Sequence, residues 1–158
     1  MKKIFLFFIL LLFSFQLSAE GIAIYPDRKS FNENIKKIGS LVKKRKFEEA
    51  EVLARSFYST SVEIYNSPFD FETYAEKVRS KNNGQINIDI MGASRIIKGF
   101  HLEDVAETSY RLSLILAING KYEEAKQYAK QAVYIKPNNM LYKESLDRIL
   151  EMMQIFKK

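Results

Sequence analysis

Few side chains in this sequence have the types and spacing that a catalytic centre needs. His101 is the single histidine, and there is no cysteine. One imidazole and no thiolate cannot build the usual zinc ligand set, nor a Ser–His or Cys–His pair with a metal ligand to spare. The lack of cysteine also excludes disulfides and a lipid-modified N-terminal cysteine. His101, beside Gly99-Phe100, reads as a surface or capping residue at a helix start. No glycine-rich phosphate loop opens a helix after a strand. Carboxylates fall in adjacent pairs, Glu48-Glu49, Glu103-Asp104 and Glu123-Glu124. Each pair is expected in the first turn of a helix, where the macrodipole favours negative charge, which makes it structural rather than an acid–base pair. The densest basic run, Lys43-Lys44-Arg45-Lys46, is expected at a helix end, where cations face the terminal carbonyls. A run of four also resembles a contact for anionic lipid or another polyanion.

Beyond the first nineteen residues, 23 basic residues stand against 19 acidic ones, too mild an excess for a nucleic-acid face. Hydrophobic residues make up 47% of the chain and charged residues 28%, a balance that supports a packed core. Only three prolines and six glycines occur, which favours long helices over a turn-rich β fold. The chain opens with Met-Lys-Lys, then runs apolar from Ile4 to Phe15 with only Ser14 interrupting, and continues through Leu17-Ser18-Ala19. That pattern predicts a secretory signal peptide over residues 1–19, cleaved after Ala19. It is short of the roughly 20 apolar residues that span a bilayer. An uncleaved signal anchor is the alternative. Residues 20–29 read as a lead-in, and Ser30 or Asn32 is the expected cap of the first helix of a domain spanning 30–158.

Within that domain the sequence repeats itself. Arg45-Lys46-Phe47-Glu48-Glu49-Ala50 returns as Gly120-Lys121-Tyr122-Glu123-Glu124-Ala125, each copy between two helical patterns. Upstream of the second copy, Leu112, Ile115, Leu116 and Ile118 form an apolar face. Downstream, Tyr122, Ala125, Tyr128, Ala129 and Ala132 share one side of a helix, so a neighbouring helix can approach closely at the alanines. Pro137 then stops the helix.

The segment Gly120-x-Tyr122-x-x-Ala125-x-x-Tyr128-Ala129-x-x-Ala132-Val133-x-x-x-Pro137 resembles the second half of a tetratricopeptide repeat. Counting back from Pro137 in the family register starts the repeat at Ala106, with a first helix over about 103–118. The family's large aromatic at the fourth place is Ser109 here, and its Leu-Gly pair is Leu112-Ser113. The earlier copy is looser. Ile38-Gly39 resembles the Leu-Gly pair one place late, Phe47, Ala50 and Ala54 fit, Phe57 departs, and no proline closes the helix before about Ile64. A middle unit is expected from a helix over Phe71–Lys81, a stop at Asn82-Asn83-Gly84, and a second helical face at Ile86, Ile90, Ala93, Ile96 and Ile97. The last stretch, Asn139 to about Phe156, reads as a capping helix. Lys143, Glu144, Asp147, Arg148, Lys157 and Lys158 lie on its charged side.

The resemblance implies an all-α superhelix of stacked antiparallel helix hairpins, about three repeats plus the cap. The repeats would pack through Gly39, Phe47, Ala50, Leu112, Gly120, Tyr122, Ala125, Tyr128, Ala129, Ala132 and Pro137. It also implies a non-catalytic module that takes up a peptide or helix of another protein in a concave groove. The expected groove residues are Ile35, Val42, Glu107, Tyr110, Leu114 and Ile118, flanked by Gly39, Lys43 and Ala117. Tyr110 and Leu114 stand where some members carry the Lys and Asn that grip a carboxyl terminus, so an apolar, aromatic groove is expected instead. With the leader, this reads as an exported adaptor or scaffold in the bacterial cell envelope. The alternatives are an accessory subunit tethered to the inner membrane and, less favoured, an envelope enzyme. No cofactor, metal, nucleic acid or small-molecule substrate is expected, and a membrane only through an uncleaved leader.

Overall fold

The computed structural model describes residues 28–68, 72, 76 and 90–156. Five helices and no strand lie among the described residues: α1 (Arg28–Lys43), α2 (Phe47–Asn66), α3 (Ile90–Ile118), α4 (Tyr122–Ile135) and α5 (Met140–Phe156). The chain folds as stacked helix hairpins, α1 against α2 and α3 against α4, with α5 packed on α4 and α3. The leader expected over 1–19 and nearly all of the lead-in lie outside the described residues. So do the helix Phe71–Lys81, apart from residues 72 and 76, the stop at 82–84, and Lys157-Lys158.

The two hairpin turns share one backbone solution. At the end of α3, the Gly120 amide donates to the Ala117 carbonyl and the Lys121 amide to Leu116. At the end of α1, the Arg45 amide donates to Val42 and the Lys46 amide to Leu41 in the same pattern. Both are Schellman closures, which satisfy the last carbonyls of a helix and require a left-handed residue at the hinge. Gly120 sits at φ 76 and Arg45 at φ 57. The next helices start alike, with Ala50 and Ala125 donating back to the Lys46 and Lys121 carbonyls. The paired glutamates lie in these first turns, Glu48-Glu49 in α2 and Glu123-Glu124 in α4.

α3 is the central element. Residues 108–117 are buried without a break, and Leu112, Leu114, Ile115 and Leu116 are fully enclosed. Each such side chain contributes roughly 1.5–3 kcal/mol of burial. A helix buried on every side must satisfy its polar side chains locally. Thr108 donates to the Asp104 carbonyl, Ser109 to Val105 and Ser113 to Tyr110, at 2.9, 2.7 and 2.6 Å. Ala125, Ala129 and Ala132 of α4 are buried at the seam.

Two expectations about the middle of the chain are corrected. Residues 90–97 of the expected second face and the repeat helix over 103–118 are parts of one helix, α3, which is 29 residues long. Gly99 lies inside it with nothing within 4 Å of where a Cβ would be, so its flexibility breaks nothing. Glu103-Asp104 is therefore mid-helix rather than in a first turn: Glu103 pairs with Lys136 at 2.9 Å, and Asp104 is buried. The rest of the expected middle unit, the helix over 71–81 and the stop at 82–84, lies outside the described residues apart from residues 72 and 76. α2 packs directly on α3. At the N-terminal end, α1 starts at Arg28, which places the expected caps Ser30 and Asn32 inside the helix.

α5 is capped at its start. Asn139 Oδ1 accepts from the Leu141 and Tyr142 amides at 3.1 and 3.4 Å. Tyr142, Ser145, Ile149, Met152 and Met153 face inward, while Lys143, Glu144, Asp147 and Arg148 are exposed. Among the described residues no helix is long and apolar enough to cross a membrane.

Candidate partner-binding site

The two hairpins are joined by a polar clamp across their seam. Glu51 of α2 is 6% exposed. Its carboxylate accepts from Lys121 Nζ and Asn119 Nδ2, both at 2.6 Å, and from Arg55 Nε at 2.9 Å. Burial by itself would raise the Glu51 carboxyl above its ordinary value. The hydrogen bonds from Lys121, Asn119 and Arg55 outweigh it and hold the group down at about 2. Arg55 reaches on to Glu124 through both terminal nitrogens, with Nη2 to Oε2 at 2.7 Å. This bidentate pair holds the Glu124 carboxyl below its ordinary value. Further along, Tyr58 packs edge-on against Tyr128 at 5.0 Å, and its hydroxyl donates to Gln131. The clamp fixes how the first hairpin sits on the second. Sequence reasoning missed it, since Glu51 and Arg55 meet partners about seventy positions away.

A second network lies between α3 and α5. Arg111 is almost wholly buried and pairs with Glu107 at 2.6 Å, and the other Glu107 oxygen accepts from Tyr142 at 2.9 Å. A buried guanidinium needs such a partner to offset its lost hydration. Tyr142 also lies against Tyr110, ring centres 4.9 Å apart. Burial, then the nearby Glu107 charge, pushes both phenols well above the ordinary tyrosine value.

These contacts decide where the expected groove residues lie. Val42, Tyr110 and Leu114 are 0, 3 and 0% exposed, and Ala117 and Gly39 are buried with them. They belong to the core rather than to an open lining, because the stacked helices and Tyr142 leave no access to them. Ile35 and Ile118 are half-buried against the core, Glu107 is half-buried in the Tyr142 network, and Lys43 is exposed. Of the expected packing residues, Ala50, Leu112, Ala125, Ala129 and Ala132 are buried. Phe47, Tyr122 and Tyr128 are half-buried against the core. Gly120 and Pro137 sit exposed in turns.

An open concavity lies elsewhere. A cleft of about 230 Å³ opens where the start of α1, the second half of α2 and the middle of α3 converge. Phe31, Leu53, Phe57 and Ile64 give it an apolar floor, and Ser30, Asn34, Ser56, Thr60, His101 and Asp104 a polar margin. His101, expected at a helix start, instead lines this cleft from mid-α3. On the same stretch of α3, Ile96 and Phe100 are 58 and 44% exposed. The volume is below the roughly 300 Å³ at which pockets begin to enclose a small-molecule ligand. It suits one or two side chains of a larger partner. Among the described residues no group of three or more His, Asp or Glu is placed to hold a metal ion.

Residues 106–139 match the family model for the tetratricopeptide repeat, with the register that counting back from Pro137 gives. No curated protein and no solved structure matches the chain. The second half of α3, the Gly120 turn and α4 thus form a tetratricopeptide repeat, and the chain that carries it has the fold of a protein–protein interaction module.

Proposed function

We propose that this protein is an exported, non-catalytic adaptor of the cell envelope that seats a helix or extended segment of a partner protein at the α1–α2–α3 end of the stack. The observation that supports this most is the open apolar cleft floored by Phe31 and Phe57, continued along α3 by exposed Ile96 and Phe100. Isolated large apolar side chains on a surface are ordinary, but an apolar cleft with a neighbouring apolar stripe and a polar margin has the anatomy of an interface core and rim. The clamp at the seam keeps the two hairpins in fixed register, so the cleft is preformed and a partner meets little ordering cost. Export rests on the leader pattern of residues 1–19.

The test is photocrosslinking in the native cell from an unnatural residue at exposed Thr60 or Lys98. A discrete envelope protein is expected on the chain. The double variant Ile96→Asp and Phe100→Asp should lose that product by tenfold or more, in line with loss of about 1.4 kcal/mol or more of binding, with unchanged helical content. Recovery of the chain in the cytosol, or equal crosslinking by the double variant, would remove this reading.

A further inference from the structure

α1 presents two opposed faces. Phe31, Ile38 and Val42 point into the core at 5, 1 and 0% exposure. On the other side, Lys36, Lys37, Ser40 and Lys43 recur at spacings that place them on one face, and all are exposed. The stripe continues through the turn in Lys44, Arg45 and Lys46, also exposed. Between Asn32 and Phe47 the only acid is Glu33, and beyond the turn Glu49 is paired with Lys46. Six cations therefore share a strip roughly 15 Å long at the helical rise.

The backbone adds an independent observation. Arg45 occupies the left-handed hinge where the second hairpin has Gly120. A side chain there costs on the order of a factor of five in folding equilibrium relative to glycine. A charge placed at a strained position points to a use outside the fold.

We infer that this strip is an electrostatic docking face for an anionic bilayer surface. Neither the α1–α2–α3 cleft nor the shallower hollow beside Gly120, Tyr122, Met153 and Phe156 is lined by any of the six cations. None of the exposed large apolar residues lies between Ser30 and Lys46. A protein partner would need such an anchor at the centre of its interface. An exposed strip of cations with no exposed large apolar side chain among them fits instead a dense layer of phosphate headgroups, which offers charge without a fixed stereochemistry. In sequence, the strip begins seven residues after the lead-in over 20–29 that follows the expected leader. The inference needs neither the partner cleft nor a particular fate of the leader.

The experiment measures flotation of the full chain with vesicles of phosphatidylcholine alone or with about a quarter phosphatidylglycerol. The wild type should prefer the anionic vesicles by roughly tenfold or more, and about 0.5 M salt should abolish the preference. The variant Lys36→Gln, Lys37→Gln, Lys44→Gln should lose most of the preference. Lys98→Gln, Lys130→Gln, Lys143→Gln, with the same net charge, should keep it, and because both variants carry the leader the difference reports the strip. Arg45→Gly should weaken anionic binding by about fivefold while raising the melting temperature. Equal loss in the two triple variants would overturn the assignment, since net charge alone would then be acting. So would absence of any anionic preference, including the case in which the strip variant instead loses an acidic protein from a native pull-down.

Discussion

The first and second hairpins place the same backbone turn on different residues. Lys46 and Lys121 sit at the starts of α2 and α4 with nearly the same dihedrals, φ −90, ψ 67 and φ −86, ψ 59. Each turn has a left-handed hinge, but one is Gly120 and the other Arg45. The turn is thus dictated by closure of the two helices on each other, and glycine makes that closure cheaper without being required for it. Past the turn the hairpins diverge. α4 carries Ala125, Ala129 and Ala132 along its buried face and ends at Ile135 before Pro137. α2 carries Ala50 and Ala54, then Phe57 at the place of Ala132, and with no proline before Pro68 runs on to Asn66. Phe57 packs on Phe31 at 4.8 Å and floors the cleft. One hairpin is closed tightly by small residues throughout, and the other is opened at its far end by a ring.

The sharpest way to break this comparison is to exchange the residues that make it. Phe57→Ala should destabilise the fold by about 3–5 kcal/mol, because removing a buried ring leaves a cavity. Ala132→Phe, at a position with no exposure at all, should cost roughly 1–3 kcal/mol or more through overpacking. Urea unfolding followed by circular dichroism measures both. If either change is tolerated within about 0.5 kcal/mol, the two hairpins are interchangeable and the open end has another cause.

Next in size is the clamp that joins them. Glu51→Gln should cost about 2 kcal/mol near neutral pH, the range for hydrogen bonds to a charged group. Its folded-state value is depressed to about 2, below the ordinary 4.5. The stabilisation is therefore fully present above about pH 4.5 and fades as pH falls toward 2. The gap between wild type and variant should narrow over that window, and a constant gap would mean that the Glu51 charge is not what the clamp uses. Glu124, held low first by its bond to Arg55, adds a decline in the same direction.

The sequence made the turns and the alanine seam readable because both are written in residues a few positions apart. The repeated Lys-aromatic-Glu-Glu-Ala segment carries the turn, and alanines at every turn of α4 carry the close approach. The clamp is invisible at that range, since charged residues on helix surfaces are the default and only the fold shows which of them meet. The continuity of α3 was hidden by Gly99, which looks like a boundary, though a helix packed at its second half and extended at its first tolerates one glycine at about 1 kcal/mol. The groove misled for a related reason. Family register assigns Tyr110 and Leu114 to the concave side of a helix, but exposure depends on the next element, and Tyr142 of α5 lies over Tyr110. Residues 69–71, 73–75 and 77–89 lie outside the described structure, so the expected middle helix and stop have no counterpart to compare.

The smallest effect tests whether register equivalence carries energetic equivalence. Lys46 and Lys121 occupy the same place in the two hairpins, and each pairs with a glutamate. Lys46 meets Glu49 on its own helix at 2.8 Å, both side chains about half exposed or more. Lys121 reaches across the seam to Glu51, whose side chain is 8% exposed. Water screens the first pair, and holding two long side chains together costs entropy, so Lys46→Ala should change stability by no more than about 0.5 kcal/mol. Lys121→Ala leaves a buried carboxylate with one donor fewer and should cost about 1 kcal/mol or somewhat more. Double-mutant cycles in denaturant should give a clear coupling energy for Lys121 with Glu51 and nearly none for Lys46 with Glu49. Added salt should erase the second and spare most of the first, because the screening ions reach an exposed pair and are kept from a buried carboxylate.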